Sequence, residues 1–267
     1  MDRAAAVLSQ SARAAALLSL AIALGIYYGT VEQLDAIPTW WAIALLAFGV
    51  IPAVFALVFL ALPLRLARGV LLFALACGLT ALTLELANLG APANFAKLAA
   101  VTFVGFWFVL YFERVSWVVL VALLVPWVDI FSVFRGPTKE IIQHREEVFT
   151  ALSFAFPIPG GGAARLGLPD LLFFALFLTT SARFRLRVGW TWLAMTLSFG
   201  ATLALATEFE SIGLPALPLL ALGFLAPNAD LLWRQVRADA AEARAPHGGT
   251  REFHHGGTQQ FPREPPP

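Results

Sequence analysis

Residues 166–182 read LGLPDLLFFALFLTTSA, a run in which Asp170 is the one charged side chain. At 1.5 Å per residue a helix of this length covers about 25 Å, which reaches across the hydrocarbon of a bilayer once the lipid thins or the ends snorkel. The run has no period-2 alternation, so it does not read as a barrel strand, and an isolated segment in lipid satisfies its backbone only as a closed helix. Working outward, seven more runs pass the same test: 14–30, 40–62, 70–89, 98–112, 116–134, 188–207 and 214–233. The start of 98–112 is loosely defined and extends back toward Ala91. Composition agrees, at 59% hydrophobic and 13% charged, against roughly 45–50% and 25% in soluble domains. The expected fold is an all-α integral membrane protein, a polytopic bundle of about eight transmembrane helices.

A net charge of +1, with the basic residues scattered through short loops, offers no field for nucleic acid. Cys77 is the one cysteine, so neither a disulfide framework nor a thiolate metal site is available within the chain. His254 and His255 in a Gly-rich tail lack the further ligands of a zinc site, and the sequence calls for no metal and no cofactor. The first run follows Arg3 and Arg13, as in a secretory signal peptide. No A-x-A site comes after it, and Tyr27, Tyr28 and Gly29 read as an interfacial belt, so it is taken as a membrane span.

Three regions follow. Residues 1–112 form an N-terminal bundle of four spans, 113–233 a second bundle of four with the long loop 135–165, and 234–267 a polar cytoplasmic tail without structure. Arg3, Arg13, Arg65, Arg68, Arg114, Arg183, Arg185, Arg187, Arg234 and Arg237 share one side if the spans alternate, while Glu32, Asp35, Lys97, Glu208 and Glu210 lie opposite. The arginine bias makes both termini cytoplasmic in a multi-pass cell-membrane protein. The loop 135–165 is the exception, carrying Arg135, Lys139, Arg145 and Arg165 on the outer side beside Glu140, Glu146 and Glu147.

A carboxylate near the bilayer centre costs roughly 2.5–3.5 kcal/mol on insertion scales, so each one needs a reason. Glu85, Asp129 and Asp170 are the three to explain. Asp129 lies about 7.5 Å from the outer end of its run and Asp170 about 6 Å from the outer start of the next, at 1.5 Å per residue. Consecutive antiparallel helices thus carry two acids at one level, and such a pair in low dielectric shares one proton. That is the state in which one carboxylate takes a proton from water while its protonated partner polarises a carbonyl. The alternatives are that each Asp packs separately against a helix end, or that the pair belongs to a proton or cation path. Glu85 reaches a similar depth or snorkels to the interface, the latter preferred.

The flanking residues narrow the choice. Gly167 has no side chain and admits close backbone approach; Leu168 follows it, and Pro169 suits a first helical turn. Leu214-Pro215-Ala216-Leu217 opens the last run at the same level, where Pro215 and Pro218 leave backbone groups free for a partner. With Val128-Asp129 on one run, Gly167-Leu168-Pro169-Asp170 on the next and Pro215-Ala216-Leu217 on the last, the chain resembles a divergent, prokaryotic-like member of the presenilin and signal peptide peptidase family of intramembrane aspartyl proteases. Val128 stands where that family has tyrosine and Pro169 where it has its second glycine, and the family has nine helices. The resemblance covers roughly 117–233 and implies a presenilin-like fold with Asp129 and Asp170 as the catalytic pair. It also implies a substrate cleft shaped by Gly167, Leu168, Pro169 and Leu214, Pro215, Ala216 and Leu217. Substrates would be transmembrane proteins or signal peptides within the lipid bilayer.

In the loop, residues 148–158 alternate partially at Phe149, Leu152, Phe154 and Phe156 before Pro157, Pro159 and Gly160 to Gly162, which suggests a short strand or hairpin near the acids. The competing expectation is an amphipathic interfacial helix over 138–153. Asp230 is expected to face water or to pair with Arg234 at i, i+4. Besides a protease, two rivals remain: a non-catalytic relative that binds membrane helices, and a proton- or cation-coupled transporter relaying through the intramembrane carboxylates.

Overall fold

The computed structural model describes residues 2–135, 146–208 and 215–244. Helix α1 (Asp2–Thr30) is followed by α2 (Thr39–Leu45), which passes through a π-helical turn (Leu46–Val50) into α3 (Ile51–Ala61). Then come α4 (Val70–Leu86), α5 (Gly90–Phe108), α6 (Val115–Arg135), the short α7 (Glu146–Ala151), strands β1 (Ser153–Pro157) and β2 (Ala163–Gly167), and α8 (Leu168–Arg183). The chain ends with α9 (Val188–Glu208), α10 (Leu217–Leu225) and α11 (Ala229–Arg244). Among the described residues five helical segments are long and apolar enough to cross a membrane: Gln10–Gln33, Thr39–Leu66, Gly90–Tyr111, Val115–Ser132 and Val188–Thr207. Val70–Leu86 is a shorter apolar helix.

A helix apolar on every face has to be buried on every face, and α8 is. Leu171 and every residue from Phe174 to Ser181 are buried. Phe174 stacks on Phe55 of α3 with ring centroids 4.0 Å apart, and Phe177 stacks on Phe224 of α10 at 4.8 Å. Helix α5 lies closest, because Gly105 has no side chain: a Cβ there would sit 2.9 Å from that of Ala175 and 3.1 Å from the Leu172 carbonyl oxygen.

Helix α5 starts at Gly90 rather than near Leu98, so Asn94 and Lys97 lie inside it. Polar groups are tolerated in such a place when paired. Lys97 Nζ meets Glu85 Oε2, in the last turn of α4, at 2.9 Å.

The last run also departs from expectation. Pro227 has no N–H to donate, and the helix breaks at a 3₁₀ turn (Ala226–Asn228). Buried Asn228 holds the break, donating to Thr191 Oγ1 at 2.7 Å and accepting the Arg187 N–H at 2.9 Å. Residues 234–244, assigned to the unstructured tail, continue α11, whose Asp239 accepts the Ser116 N–H at the start of α6 at 3.4 Å. Asp230 is exposed, as one of the two expectations has it, and pairs with Arg187 rather than Arg234, through two bonds of 2.7 and 2.9 Å. The remainder of the tail, with His254 and His255, lies outside the described residues.

Candidate active site

Strands β1 and β2 form an antiparallel hairpin with Ser153 opposite Gly167 and Pro157 opposite Ala163. Gly160, Gly161 and Gly162 all have positive φ in its turn, and a Cβ on Gly160 would lie 2.4 Å from Ala36. The expected strand is present over 153–157, while the helical alternative is real over Glu146–Ala151; its part in 138–145 lies outside the described residues. Phe154 and Phe156, two apart, are both buried, and Leu152 is exposed.

The hairpin's register decides which backbone groups face outward. Leu168 donates to Leu152 and Ile158 to Gly162, so Ser153 and Ala155 direct their N–H and C=O groups, and Pro157 its C=O, away from β2. Side chains cover that outer edge of β1. Asn94 donates to the Ala155 carbonyl at 2.7 Å and accepts its N–H at 3.0 Å; Tyr28 donates to the same carbonyl at 2.9 Å and Tyr27 to that of Pro157 at 2.8 Å. The tyrosines therefore anchor a strand. By the same alternation Ala163 and Arg165 turn their backbone groups to the far side of β2, where no partner among the described residues meets them.

Strand β2 leads straight into α8. Gly167 is the N-cap, Pro169 sits in the first turn where its missing N–H costs nothing, and Asp170 is the third helical residue. Its carboxyl folds back onto the Gly167 backbone, with Oδ2 3.2 Å from where a Gly167 Cβ would be. This is the backward half of a capping box. Leu168 and Asp170 are half-buried and Pro169 is exposed.

Asp129 approaches from α6. Its Oδ2 accepts the backbone N–H of Leu217 at 3.1 Å, at the first residue of α10, where an amide has no partner within its own helix. Ala216 and Leu217 are buried and Pro215 half-buried; Leu214 lies outside the described residues. The two carboxyl groups are near enough to interact electrostatically. Asp129 is thus bonded to the Pro215-Ala216-Leu217 segment and Asp170 lies against Gly167, with the two acids joined by electrostatics rather than by a hydrogen bond among the described residues. Glu85, held by Lys97, is not part of that cluster's bonding. Asn94 and the strand bonds of Tyr27 and Tyr28 escaped the sequence reading, since nothing local marks a partner 61 to 130 positions away. Among the described residues no group of three His, Cys, Asp or Glu side chains is placed to hold a metal.

No model of a known protein family matches this chain, and no curated protein matches it.

Proposed function

We propose that the chain is an intramembrane aspartyl protease related to the presenilin and signal peptide peptidase family, with Asp129 and Asp170 as its acid and base. One carboxylate takes a proton from the attacking water, the protonated partner polarises the scissile carbonyl, and no covalent intermediate forms. The observation that carries this reading is that Asp170, in the first turn of α8, lies within electrostatic reach of Asp129, whose carboxylate caps the start of α10, next to a strand with an open edge.

A transmembrane substrate hides its carbonyls in i to i−4 hydrogen bonds and has to unwind before attack. Once extended, it pairs along Ala163 and Arg165 of β2, and that edge delivers it to Asp170. In this reading Gly167, Leu168 and Pro169 form one wall of the cleft and Leu214, Pro215, Ala216 and Leu217 the other. Helices α4, α8 and the α10 to α11 segment complete eight crossings, with the arginine-rich ends and both termini in the cytoplasm. Substrates are membrane-protein helices or signal peptides.

Asparagine substitution tests the chemistry. Asn accepts the same backbone hydrogen bonds, so Asp129→Asn and Asp170→Asn each keep their helix cap while losing the titratable proton. Cleavage of a membrane-anchored reporter falls by about 10²- to 10⁴-fold or more in either variant, with the thermal midpoint little changed. Reporter cleavage at the native rate in either variant refutes the proposal.

A second reading has its own observation: both carboxylates already cap helix starts, which is sufficient employment for a non-catalytic scaffold that binds membrane helices. A transition-state analogue of aspartic proteases separates the two, because it binds far more tightly than substrate only where an acid-base pair is assembled. The transporter reading is weakened by the Glu85–Lys97 pair, which removes one of its three relay groups.

A further inference from the structure

At the opposite end of the bundle from the two acids, where α3, α5 and α8 all finish, lies a cavity of about 290 Å³ lined by Arg65, Leu66, Phe106, Val109, Leu110, Thr179, Ala182 and Arg183. Both arginines reach it after bonding a helix-end carbonyl, Arg65 to Leu62 and Arg183 to Val109. Those bonds neutralise the negative ends of the helices that would otherwise repel an anion. A guanidinium has five N–H donors in a fixed fork, so each keeps several after that bond. Neither has a carboxylate partner among the described residues.

Thr179 supplies the independent sign. A threonine inside a helix ordinarily returns its hydroxyl to the carbonyl four residues back, as Thr80, Thr191, Thr202 and Thr207 do here. Thr179 is 2% exposed and its Oγ1, like those of buried Thr180 and Thr196, has no hydrogen-bond partner among the described residues, but of the three only Thr179 lines the cavity beside the arginines. Two unpaired cations and one buried orphan hydroxyl around an open, otherwise apolar hollow are the donor set of a phosphate site. The apolar remainder identifies the bearer, since Leu66 and Leu110 are exposed where acyl chains would lie.

We propose that this hollow binds the phosphate of an anionic phospholipid, with Arg65 and Arg183 clasping the phosphate oxygens and Thr179 donating its hydroxyl. Basic pockets between transmembrane helices are suited to such headgroups.

Native mass spectrometry of the full chain released from nanodiscs of phosphatidylcholine with phosphatidylglycerol tests this directly. Phosphatidylglycerol is retained over phosphatidylcholine, and Arg65→Gln and Arg183→Gln each weaken retention about tenfold, as expected for a hydrogen bond to a charged group. Thr179→Val, nearly the same shape, weakens it by a smaller factor, whereas Arg68→Gln, an exposed neighbour outside the cavity, changes nothing. Where Arg183→Gln does not fold, Arg65→Gln and Thr179→Val carry the test. Equal retention of the two lipids, or undiminished phosphatidylglycerol binding in Arg65→Gln, overturns the site. Inorganic phosphate is the second arm: full competition at low millimolar concentration assigns the hollow to a soluble phosphate and overturns the lipid.

Discussion

Helices α6 and α8 carry one acid each, yet they are built in opposite ways. In α8 all side chains from Phe174 to Ser181 are buried, so Asp170 is mounted on the centre of the protein. Among the described side chains of α6 only Val115, Val118 and Ala122 are fully buried, all in its first half, and around Asp129 the side chains of Trp127, Val128 and Phe131 are 72, 67 and 65% exposed. Pro126 removes a backbone donor three residues before Asp129, and the Leu217 N–H is the bond that ties the carboxylate down. One acid is fixed by the core and the other is borne on an outer helix whose neighbouring side chains are exposed. On the proposed protease reading, a substrate helix would enter by movement of α6 alone, leaving α8 and its hairpin in place.

The largest test of that contrast is stability. Phe174→Ala removes a ring stacked on Phe55 and costs about 3–5 kcal/mol, whereas Trp127→Ala on the exposed face of α6 stays within about 0.5 kcal/mol. Unfolding monitored in detergent or nanodiscs measures both, and comparable losses would mean α6 is as firmly seated as α8. Next comes the α5 to α8 contact. Gly105→Val forces a side chain against Ala175 and the Leu172 backbone and destabilises by about 1–3 kcal/mol.

Asn94→Ala probes how β1 is attached. It strips one donor and one acceptor from Ala155 while Tyr28 still holds that carbonyl, so the loss is about 1–2 kcal/mol. Because the hairpin presents β2, reporter cleavage in Asn94→Ala rises in KM more than it falls in kcat. A fall confined to kcat would separate the hairpin from substrate binding.

Much of the contrast was legible in residues 116–134 and 166–182, where a lone Asp in an apolar run demands burial or a partner and the proline and glycine flanks mark backbone ends. The depth arithmetic for Asp170 counted helix rise from Leu166, whereas Leu166 and Gly167 end strand β2 and the helix begins at Leu168. What escaped were pairings made by tertiary contact. Lys97 looks like the end of a span until Glu85 neutralises it, and Asn94 looks like a loop residue until Ala155 of β1 arrives. Asp230 has Arg234 one turn away, yet the helix end at Pro227 turns it toward Arg187, whose planar fork takes both oxygens. Hydropathy also measures apolar area without saying which helix is central; α8 and α6 are both apolar enough to span, and only packing makes one of them the core.

The smallest effect is the most direct on α6 itself. Pro126→Ala restores an N–H that can donate to the Ala122 carbonyl, and at a position already helical this stabilises by about 0.5–1 kcal/mol, well below the cost of proline in an exposed helix because the native packing has adapted to it. If Asp129 has to travel with the outer half of α6 to let substrate in, stiffening the helix just before it slows turnover severalfold while the affinity for a transition-state analogue is held or improved. A variant that is more stable and equally fast would show that the proline is tolerated rather than used, and that the acid on the outer helix is as stationary as the one in the core.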